Sequence, residues 1–164
     1  MEIPKYRFAL VEGLGDEFLP KQGEPTATGW DVRAVSLEKS SIYAEPFKVL
    51  KISLGFRVLC PTGWWLELRP RSSTFVKRNL HSLYGVIDQD YSGVCCFVCQ
   101  YIPNGAEPSI SWINHGDALG QLVPVKRQEM AVERVSNEEY DRLVAERGAV
   151  RGAGGFGSTD KGQK

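Results

Sequence analysis

Glycine and proline interrupt this chain so often that only short regular elements fit between them. The sequence has 164 residues, of which 17 are Gly and 9 are Pro. Between them lie short runs rich in β-branched and aromatic residues, a pattern typical of strands joined by turns and unlike a helix bundle. We therefore expect an all-β sandwich, jelly roll or barrel. The predicted strands are Tyr6–Val11, Ile42–Ala44, Phe47–Ile52, Phe56–Cys60, Trp64–Leu68, Val94–Tyr101, Ile110–Trp112 and Gly120–Val125.

Two segments carry helix signals, so we expect one or two short helices. Residues Asn137–Glu146 follow Ser136, and Glu139 lies three positions after that serine. This spacing predicts a capping box, in which the two side chains accept reciprocal hydrogen bonds from backbone N–H groups. A shorter helix is predicted over Ser73–Asn79.

The C-terminal segment has a different composition from the rest of the chain. From Gly148 to Lys164 there are six glycines and only four apolar residues, too few to hold a folded segment in place. We therefore divide the chain into a folded domain, residues 1–147, and a flexible glycine-rich arm, residues 148–164.

The charge balance excludes several classes of partner. Lys and Arg number 20 and Asp and Glu number 20, so the formal net charge is zero. This removes the bulk electrostatic attraction that nucleic-acid and membrane-surface binders use, and an anionic ligand has to be bound by local geometry. The chain has no run of about 18 apolar residues and no signal-peptide pattern at its start. We expect a soluble, cytoplasmic protein with neither nucleic acid nor membrane as a partner.

The four cysteines, Cys60, Cys95, Cys96 and Cys99, raise the hypothesis of a zinc site. The predicted strand over Val94–Tyr101 places Cys95 and Cys99 on one face and Cys96 on the other. Structural zinc sites instead use ligand pairs in tight turns, with a second pair or histidines at matching spacing. We expect buried, reduced thiols.

The segment Arg71-Ser72-Ser73 combines a fixed positive charge with two hydroxyls at the start of the short predicted helix. Backbone donors and the helix dipole at such a position favour an anion such as phosphate. A serine N-cap beside a surface arginine explains the same residues and, for this segment taken alone, is the favoured interpretation.

The glycine-bounded segment from Gly85 to Gly93 carries Asp88, Asp90 and Tyr91. In a strand or turn the two carboxylates project the same way, so that one could activate a water while the other positions it. Aspartate is also common in turns for purely local reasons, because its side chain binds nearby backbone.

The arm contains donors suited to a nucleotide. Arg151 offers a forked donor, Ser158 and Thr159 offer hydroxyls, and Phe156 offers a ring that could stack on a base. It is not the P-loop of nucleotide-dependent motors, which needs a preceding strand and a Gly-Lys-Ser/Thr that enters a helix. A disordered tail is the alternative interpretation.

Two more segments, Gly29-Trp30-Asp31-Val32 and Gly116-Asp117-Ala118-Leu119-Gly120-Gln121-Leu122, look like ordinary turns that lead into strands. Taken in order, however, all five segments resemble the five motifs of the trimeric deoxyuridine triphosphatases, the dUTPases. The resemblance extends from about Pro25 to Thr159, and its most specific parts are Gly-Val-Ile-Asp-x-Asp-Tyr-x-Gly and Arg-Gly-x-Gly-Gly-Phe-Gly-Ser-Thr.

This resemblance implies a distorted jelly roll of the dUTPase-like β-clip type and a homotrimer. It also implies hydrolysis of dUTP to dUMP and pyrophosphate with Mg²⁺. In the family each active site takes its first, second and fourth motifs from one subunit, its third from another and the arm from the last.

The resemblance also implies roles for individual residues. Asp88 would be the base that activates the water attacking the α-phosphorus, Tyr91 would pack under the deoxyribose and exclude a 2′-hydroxyl, and Asp31 would lie near the water shell of the metal. The backbone around Ser82–Gly85, with Ser82 and Gly85 at its ends, would recognise uracil. The residues that match phosphate contacts or the lid over the base are Arg71, Ser72, Ser73, Gln121, Arg151, Phe156, Gly157, Ser158 and Thr159.

Three positions depart from the family pattern. Gly29-Trp30 stands where Ala-Tyr is more usual, Ser82 stands where many members have a base-reading Asn, and Asp160 follows Thr159 where Gly is usual. The first two bear on selectivity over dTTP and dCTP rather than on the reaction.

Two alternative functions remain. One is the dCTP deaminase branch of the same fold, which uses a catalytic Glu on the strand after the aspartate turn, where Val94–Tyr101 has none. The other is a protein-binding regulator switched by dUTP, whose partner would bind Pro103–Ile113 or the helix at Asn137–Glu146.

Overall fold

The computed structural model describes residues 3–38, 40–105 and 112–148. The chain divides into two compact units, Met1–Gln128 and Glu129–Lys164. Helices in the described part are all too short or too polar to cross a membrane.

The strands within the described ranges are β1 (Arg7–Leu10), β2 (Lys21–Gln22), β3 (Trp30–Arg33), β4 (Ser41–Tyr43), β5 (Val49–Ser53), β6 (Phe56–Leu59), β7 (Trp64–Pro70), β8 (Leu80–Ser82), β9 (Gly85–Ile87), β10 (Cys96–Tyr101), β11 (Trp112–Asn114) and β12 (Ala118–Lys126). The helices are a 3₁₀ turn at Asp16–Phe18, α1 (Ser72–Val76) and α2 (Asn137–Glu146).

The strands form small sheets within the first unit. The largest has the order β2-β3-β12-β7-β9, and a second has the order β5-β10-β8. Two-stranded sheets pair β1 with β6 and β11 with β4. The pairings between these twelve strands are antiparallel, which confirms the predicted all-β class.

One hydrophobic core lies beneath these sheets. Side chains of β10 alternate as expected for a strand with one buried face, since Phe97, Cys99 and Tyr101 are buried and the residues between them are half-buried. Gly120 on β12 allows the Phe97 ring and the β7 backbone to pack closely against it, because a Cβ at position 120 would lie 2.9 Å from the Arg69 carbonyl oxygen and 3.1 Å from the Phe97 ring. The largest fully buried side chains are Phe56, Phe97, Ile52, Leu54, Leu80, Ile113, Leu119 and Leu122.

Each predicted strand overlaps an observed one, but β2, β3, β8 and β9 were not predicted as strands. The most consequential difference concerns Gly85–Ile87, which we interpreted as part of a turn and which forms β9 beside β7. The glycine at its start and the aspartates that follow favour a turn, and pairing with β7 decides the conformation instead.

The helix predictions hold in position and differ in detail. Ser136 Oγ accepts a hydrogen bond from the Glu139 N–H at 3.2 Å, as predicted. The Glu139 carboxylate instead binds the Arg142 guanidinium, so the predicted capping box forms only on the serine side. Helix α1 begins at Ser72 and ends at Val76, three residues before the predicted end at Asn79, whose φ of 50° lies in the left-handed region.

The cysteines behave as small core residues. Cys60, Cys95 and Cys99 are buried and Cys96 is half-buried, which confirms the predicted division between two faces of the strand. Burial raises the pKa of Cys95 to about 12 and that of Cys99 to about 11, so these thiols stay protonated. Across residues 3–38, 40–105 and 112–148, no three His, Cys, Asp or Glu side chains are grouped so that they could hold a metal ion.

Candidate active site

The five-stranded sheet brings three of the sequence segments side by side. Gln121 on β12 pairs with Asp31 on β3 and, across its other edge, with Arg69 on β7. Strand β7 ends at Pro70, so Arg71 and α1 emerge at the same end of the sheet. Residues far apart in sequence therefore converge at one end of the sheet.

A polar cleft of about 480 Å³ lies at this end of the sheet. Arg71 Nε lies 3.2 Å from Asp31 Oδ1, and 39% and 25% of their side chains are exposed. Because an ion pair this accessible to water is weak, either partner can exchange it for a ligand at little cost. The predicted residues that line the cleft are Asp31, Arg71, Ser72, Ser73 and Gln121, and the segment at Gly23, Glu24, Thr26, Ala27 and Gly29 completes its wall.

Two close contacts fix the geometry of the cleft. Gln121 Nε2 donates to the Pro70 carbonyl oxygen at 3.3 Å, which directs the amide toward the start of α1. Gly29 is buried against the same side chain, since a Cβ at position 29 would lie 2.1 Å from Gln121 Oε1 and 3.0 Å from its Cβ. A larger residue at position 29 would push Gln121 out of place.

Thr74 is a site residue that sequence reasoning missed. It is completely buried, and its Oγ1 donates to the Leu119 carbonyl oxygen at 2.5 Å. The Arg71 N–H donates to the same oxygen at 3.1 Å. These bonds hold α1, with Ser72 and Ser73, against β12. A run of three hydroxyl residues gives no sequence signal for which one points inward.

A second cleft, of about 650 Å³, contains the predicted catalytic segment. Asp88, Asp90 and Tyr91 all line it. The Tyr91 N–H donates to the Asp88 carbonyl oxygen at 3.1 Å, which makes the turn after β9. Asp88 is exposed to solvent. The other residues of the cleft are Val86 and Gln89, from the same predicted segment, and Trp64, Trp65 and Arg127, which the sequence did not identify as part of a site.

The charge of Asp88 also acts on the core behind it. Burial raises the pKa of the Cys60 thiol, and the nearby Asp88 carboxylate raises it further. Cys60 therefore stays protonated and adds no negative charge near Asp88.

The two clefts lie at opposite ends of β7. Ile87, which precedes Asp88, pairs with Leu66, whereas Arg71 follows Pro70 at the far end of the strand. Asp88 is thus about six positions along β7 from Arg71, or roughly 20 Å at the rise of an extended strand. Within one chain, the Asp88 carboxylate and the polar cleft at Arg71 are therefore widely separated.

The predicted uracil-reading residues lie on β8, on β9 and on the segment that joins these two strands of different sheets. Ser82 pairs with Cys99 on β10, and its Oγ is buried with no hydrogen-bond partner in the described structure. Gly85 pairs with Leu68, whose Cβ would lie 3.4 Å from a Cβ at position 85. Both residues are therefore close to neighbouring strands. The predicted arm residues, Arg151, Phe156, Gly157, Ser158 and Thr159, lie outside the described residues, as does most of the segment Pro103–Ile113.

Comparison with known proteins assigns the chain to a family. The dUTPase family model matches residues 17–159, and the chain belongs to that family. A deoxyuridine 5′-triphosphate nucleotidohydrolase of Desulfotalea psychrophila is 35% identical over 162 residues, covering 94% of this chain and 97% of the relative. The enzyme of the same name from Caulobacter vibrioides is 32% identical over 155 residues, covering 93% of this chain and 92% of the relative.

The fold agrees with this assignment. The dUTPase of Staphylococcus bacteriophage 80alpha, solved with dUPNHPP, superimposes with a TM-score of 0.72 at 20% identity. The match covers 94% of this chain and 97% of the phage protein. The likeness confirms the predicted distorted jelly roll of the β-clip type.

Proposed function

We propose that this chain hydrolyses dUTP to dUMP and pyrophosphate, with an active site completed by other copies of itself. Membership of the dUTPase family and relatives named deoxyuridine triphosphate nucleotidohydrolases support the reaction. The single observation that carries the shared site is the separation of the two clefts: a phosphate-binding half and a water-activating half lie roughly 20 Å apart along β7.

The residues of each half have complementary chemistry. Arg71, Ser72, Ser73 and Gln121 offer a guanidinium, two hydroxyls and an amide to the oxygens of a triphosphate. Asp88 takes a proton from water, and the water oxygen bonds to the α-phosphorus. The bond from that phosphorus to the bridging oxygen breaks, and pyrophosphate leaves. Fixed donors favour this step because negative charge spreads over the phosphoryl oxygens as it proceeds.

The polar cleft also fits Mg²⁺ in the form that accompanies nucleotides. Magnesium commonly binds through one or two carboxylates, water and substrate phosphates, rather than in a cage made by the protein alone. Asp31 supplies one partly exposed carboxylate at the cleft, and the described residues contain no larger acidic cluster that would compete for the ion. When bound, the metal would neutralise charge on the triphosphate, and Asp31 would be the residue that holds it through water.

A surface suited to assembly with other copies lies near the catalytic segment. Phe75 on α1 contacts His81 on β8 with ring centroids 4.7 Å apart, so α1 lies against β8. Large apolar side chains are exposed on α1, on β9 and on the segment between β8 and β9. Such a patch indicates a protein interface, which supports a homotrimer. These side chains are Phe75, Val76, Leu83, Tyr84 and Val86, each more than half exposed.

We assign selectivity for deoxyuridine to the segment from Ser82 to Gly85 and to the turn after β9 that contains Tyr91. The ring of Tyr91, 45% exposed, would pack under the sugar and leave no space for a 2′-hydroxyl. Ser82 Oγ is a buried polar atom without a partner in the described structure, and such an atom is costly unless a ligand or water binds it. With the backbone up to Gly85, it is our candidate for contact with the base.

The arm is proposed to complete the site. Arg151, Ser158 and Thr159 would bind the γ-phosphate, and Phe156 with Gly157 would cover the base. Closing a glycine-rich segment has a large entropic cost, which a bound triphosphate can offset. Closure would exclude bulk water and improve the alignment of the attacking water.

Pyrophosphate release across dUTP, dTTP, dCTP and UTP with Mg²⁺ tests the proposal. We expect rapid release from dUTP and at least about 100-fold lower kcat/KM for the others, because a site built on steric exclusion and buried hydrogen bonds discriminates by several kcal/mol. Ammonia release from dCTP would instead indicate the deaminase alternative, although β10 contains no Glu. Equal turnover of dUTP and UTP would contradict the role of Tyr91.

A further inference from the structure

A hydrogen bond accepted by the Gln89 side chain connects the turn at residues 88–91, here called the catalytic turn, to the rest of the domain. The Gly63 N–H donates to Gln89 Oε1 at 2.7 Å, between residues 26 positions apart. Asp88 and Asp90 on either side are exposed, whereas Gln89 is half-buried. We infer that Gln89 is a positioning residue that holds Asp88 and Tyr91 in place; the inference rests on the proposed catalytic role of Asp88.

Gly63 is a well-fixed partner for this bond. Its φ of 78° lies in the left-handed region, where glycine is favoured, and it occupies the turn between β6 and β7. The Trp64 N–H closes that turn on the Pro61 carbonyl oxygen at 3.0 Å. The Gly63 carbonyl oxygen accepts from the Arg127 N–H at 2.8 Å, so both backbone groups of Gly63 are bound.

The other hydrogen bonds of the catalytic turn are local. Tyr91 donates from its N–H to the Asp88 carbonyl oxygen and from its hydroxyl to the Val94 carbonyl oxygen, each at 3.1 Å. The pairing of β9 with β7 ends where Ile87 meets Leu66. Local bonds shape the turn but leave it free to move as a unit. The bond to Gly63 fixes its position relative to the sheet.

This position matters because the attacking water has to be held in line with the α-phosphorus. A displacement of about 1 Å can lower turnover by about 100-fold even when every catalytic group is present. Gln89 does not act on the substrate itself in this account. It acts through Asp88, by limiting where the carboxylate can lie.

The choice of an amide at position 89 also has an electrostatic reason. A Glu in its place could accept the same hydrogen bond from Gly63. It would also add a third carboxylate between Asp88 and Asp90, and a like charge nearby makes ionisation of Asp88 harder. Loss of the hydrogen bond and a change of charge therefore give different kinetic signatures.

The test compares Gln89→Met with Gln89→Glu. Gln89→Met keeps the side-chain length and removes both the acceptor for the Gly63 N–H and the Nε2 donor 3.5 Å from Asp90 Oδ1, whereas Gln89→Glu keeps an acceptor and adds charge. We expect Gln89→Met to lower kcat for dUTP about 10- to 100-fold, with the pH profile unshifted. We expect Gln89→Glu to have close to wild-type kcat at high pH, with the acidic limb of its pH–kcat profile shifted to higher pH. Gln89→Asn, too short to reach Gly63, should behave like Gln89→Met and serves if the latter folds poorly.

Gln100→Met is the matched control, because Gln100 Nε2 donates to the Phe47 carbonyl oxygen at 2.6 Å, a contact outside both clefts. It should leave kcat within about 2-fold of wild type. Wild-type kcat in folded Gln89→Met, or Gln89→Glu as impaired as Gln89→Met at every pH, would overturn the inference while the proposed function stands. A wild-type chain that does not hydrolyse dUTP would overturn both.

Discussion

Individual residues in the two clefts have separable roles in the proposed reaction, and Asp88 is the one on which turnover depends. Asp88→Asn should bind a non-hydrolysable dUTP analogue with nearly unchanged affinity, because the side chain keeps its size. Hydrolysis should fall by about 10²–10⁴-fold, since the amide cannot accept a proton from water. Steady-state kinetics beside calorimetric titration separate the two effects.

Asp90→Asn is the control for this prediction, because Asp90 is an equally exposed carboxylate in the same cleft. It should lose less than about 10-fold in kcat. If Asp90→Asn lost more activity than Asp88→Asn, the base would be Asp90 and the assignment by family position would be wrong.

Thr74 supports the polar cleft from beneath, and its contribution is to stability. Thr74→Val keeps the shape and removes the hydroxyl that binds the Leu119 carbonyl oxygen. We expect a loss of about 1–2 kcal/mol in the free energy of unfolding, the usual cost of a buried hydrogen bond whose removal leaves a partner less satisfied. Denaturant unfolding measures it.

Thr28→Val, at an exposed position, provides the comparison and should change the free energy of unfolding by less than about 0.5 kcal/mol. Equal effects of the two substitutions would show that the buried Thr74 hydrogen bond contributes nothing specific to the position of α1.

At the scale of elements, β11 and β12 are joined by a turn whose carboxylate connects three segments. Asp117 Oδ2 accepts from Arg78 at 2.7 Å and from the Asn114 N–H at 2.8 Å. Partial burial by itself would raise the pKa of Asp117. The hydrogen bonds from Arg78 and Asn114, with the charges of Arg78 and Arg33, outweigh burial and hold it below its usual value.

A lowered pKa in the folded state gives stability that is present above the unfolded value, about 3.9 for Asp, and is lost as the pH falls through the folded value. Asp117→Asn should therefore be less stable than wild type at pH 7, by about 1–3 kcal/mol, and the difference should shrink below about pH 4. Thermal unfolding across pH 2.5–7 is the measurement. Asp141→Asn, at an exposed position of α2, should show no such dependence.

The sequence predicts the longer elements well because their signals are local. Strands β7, β10 and β12 have runs of apolar and β-branched residues, and α2 has its serine cap, so their approximate bounds follow from composition and turns. Strands β2, β3, β8 and β9 are two to four residues long and depend on neighbours that are distant in sequence. No window of sequence contains that information.

The site divides in the same way. The chemical identities of Asp31, Arg71, Asp88 and Tyr91 stand out from the residues and from the family pattern. The inward position of Thr74 and the bond between Gln89 and Gly63 do not, because each depends on a contact between segments that only the folded chain brings together. Residues that we propose to act on substrate have a signal in the sequence, whereas the residues that hold them in place have none.

At the scale of the whole molecule, the two clefts at opposite ends of β7 are the basis for our proposal that a working site needs more than one chain. The net charge of zero conceals a local arrangement of Arg71 with hydroxyl and amide donors, far from the carboxylate that would activate water. Exposed apolar side chains on α1, on β9 and on the segment between β8 and β9 support the proposed assembly, in which one copy would supply what another lacks.

The most direct test of this account is to mix two chains that are each inactive. Arg71→Ala lacks a phosphate-binding group and keeps Asp88, while Asp88→Asn keeps the polar cleft and lacks the base. In randomly mixed trimers with one cleft from each of two subunits, about one quarter of the sites combine an intact Arg71 with an intact Asp88. Co-refolded in equal amounts, the pair should recover about a quarter of wild-type dUTP hydrolysis. If every mixture stays as inactive as its components, the site is contained within one chain and the account is wrong.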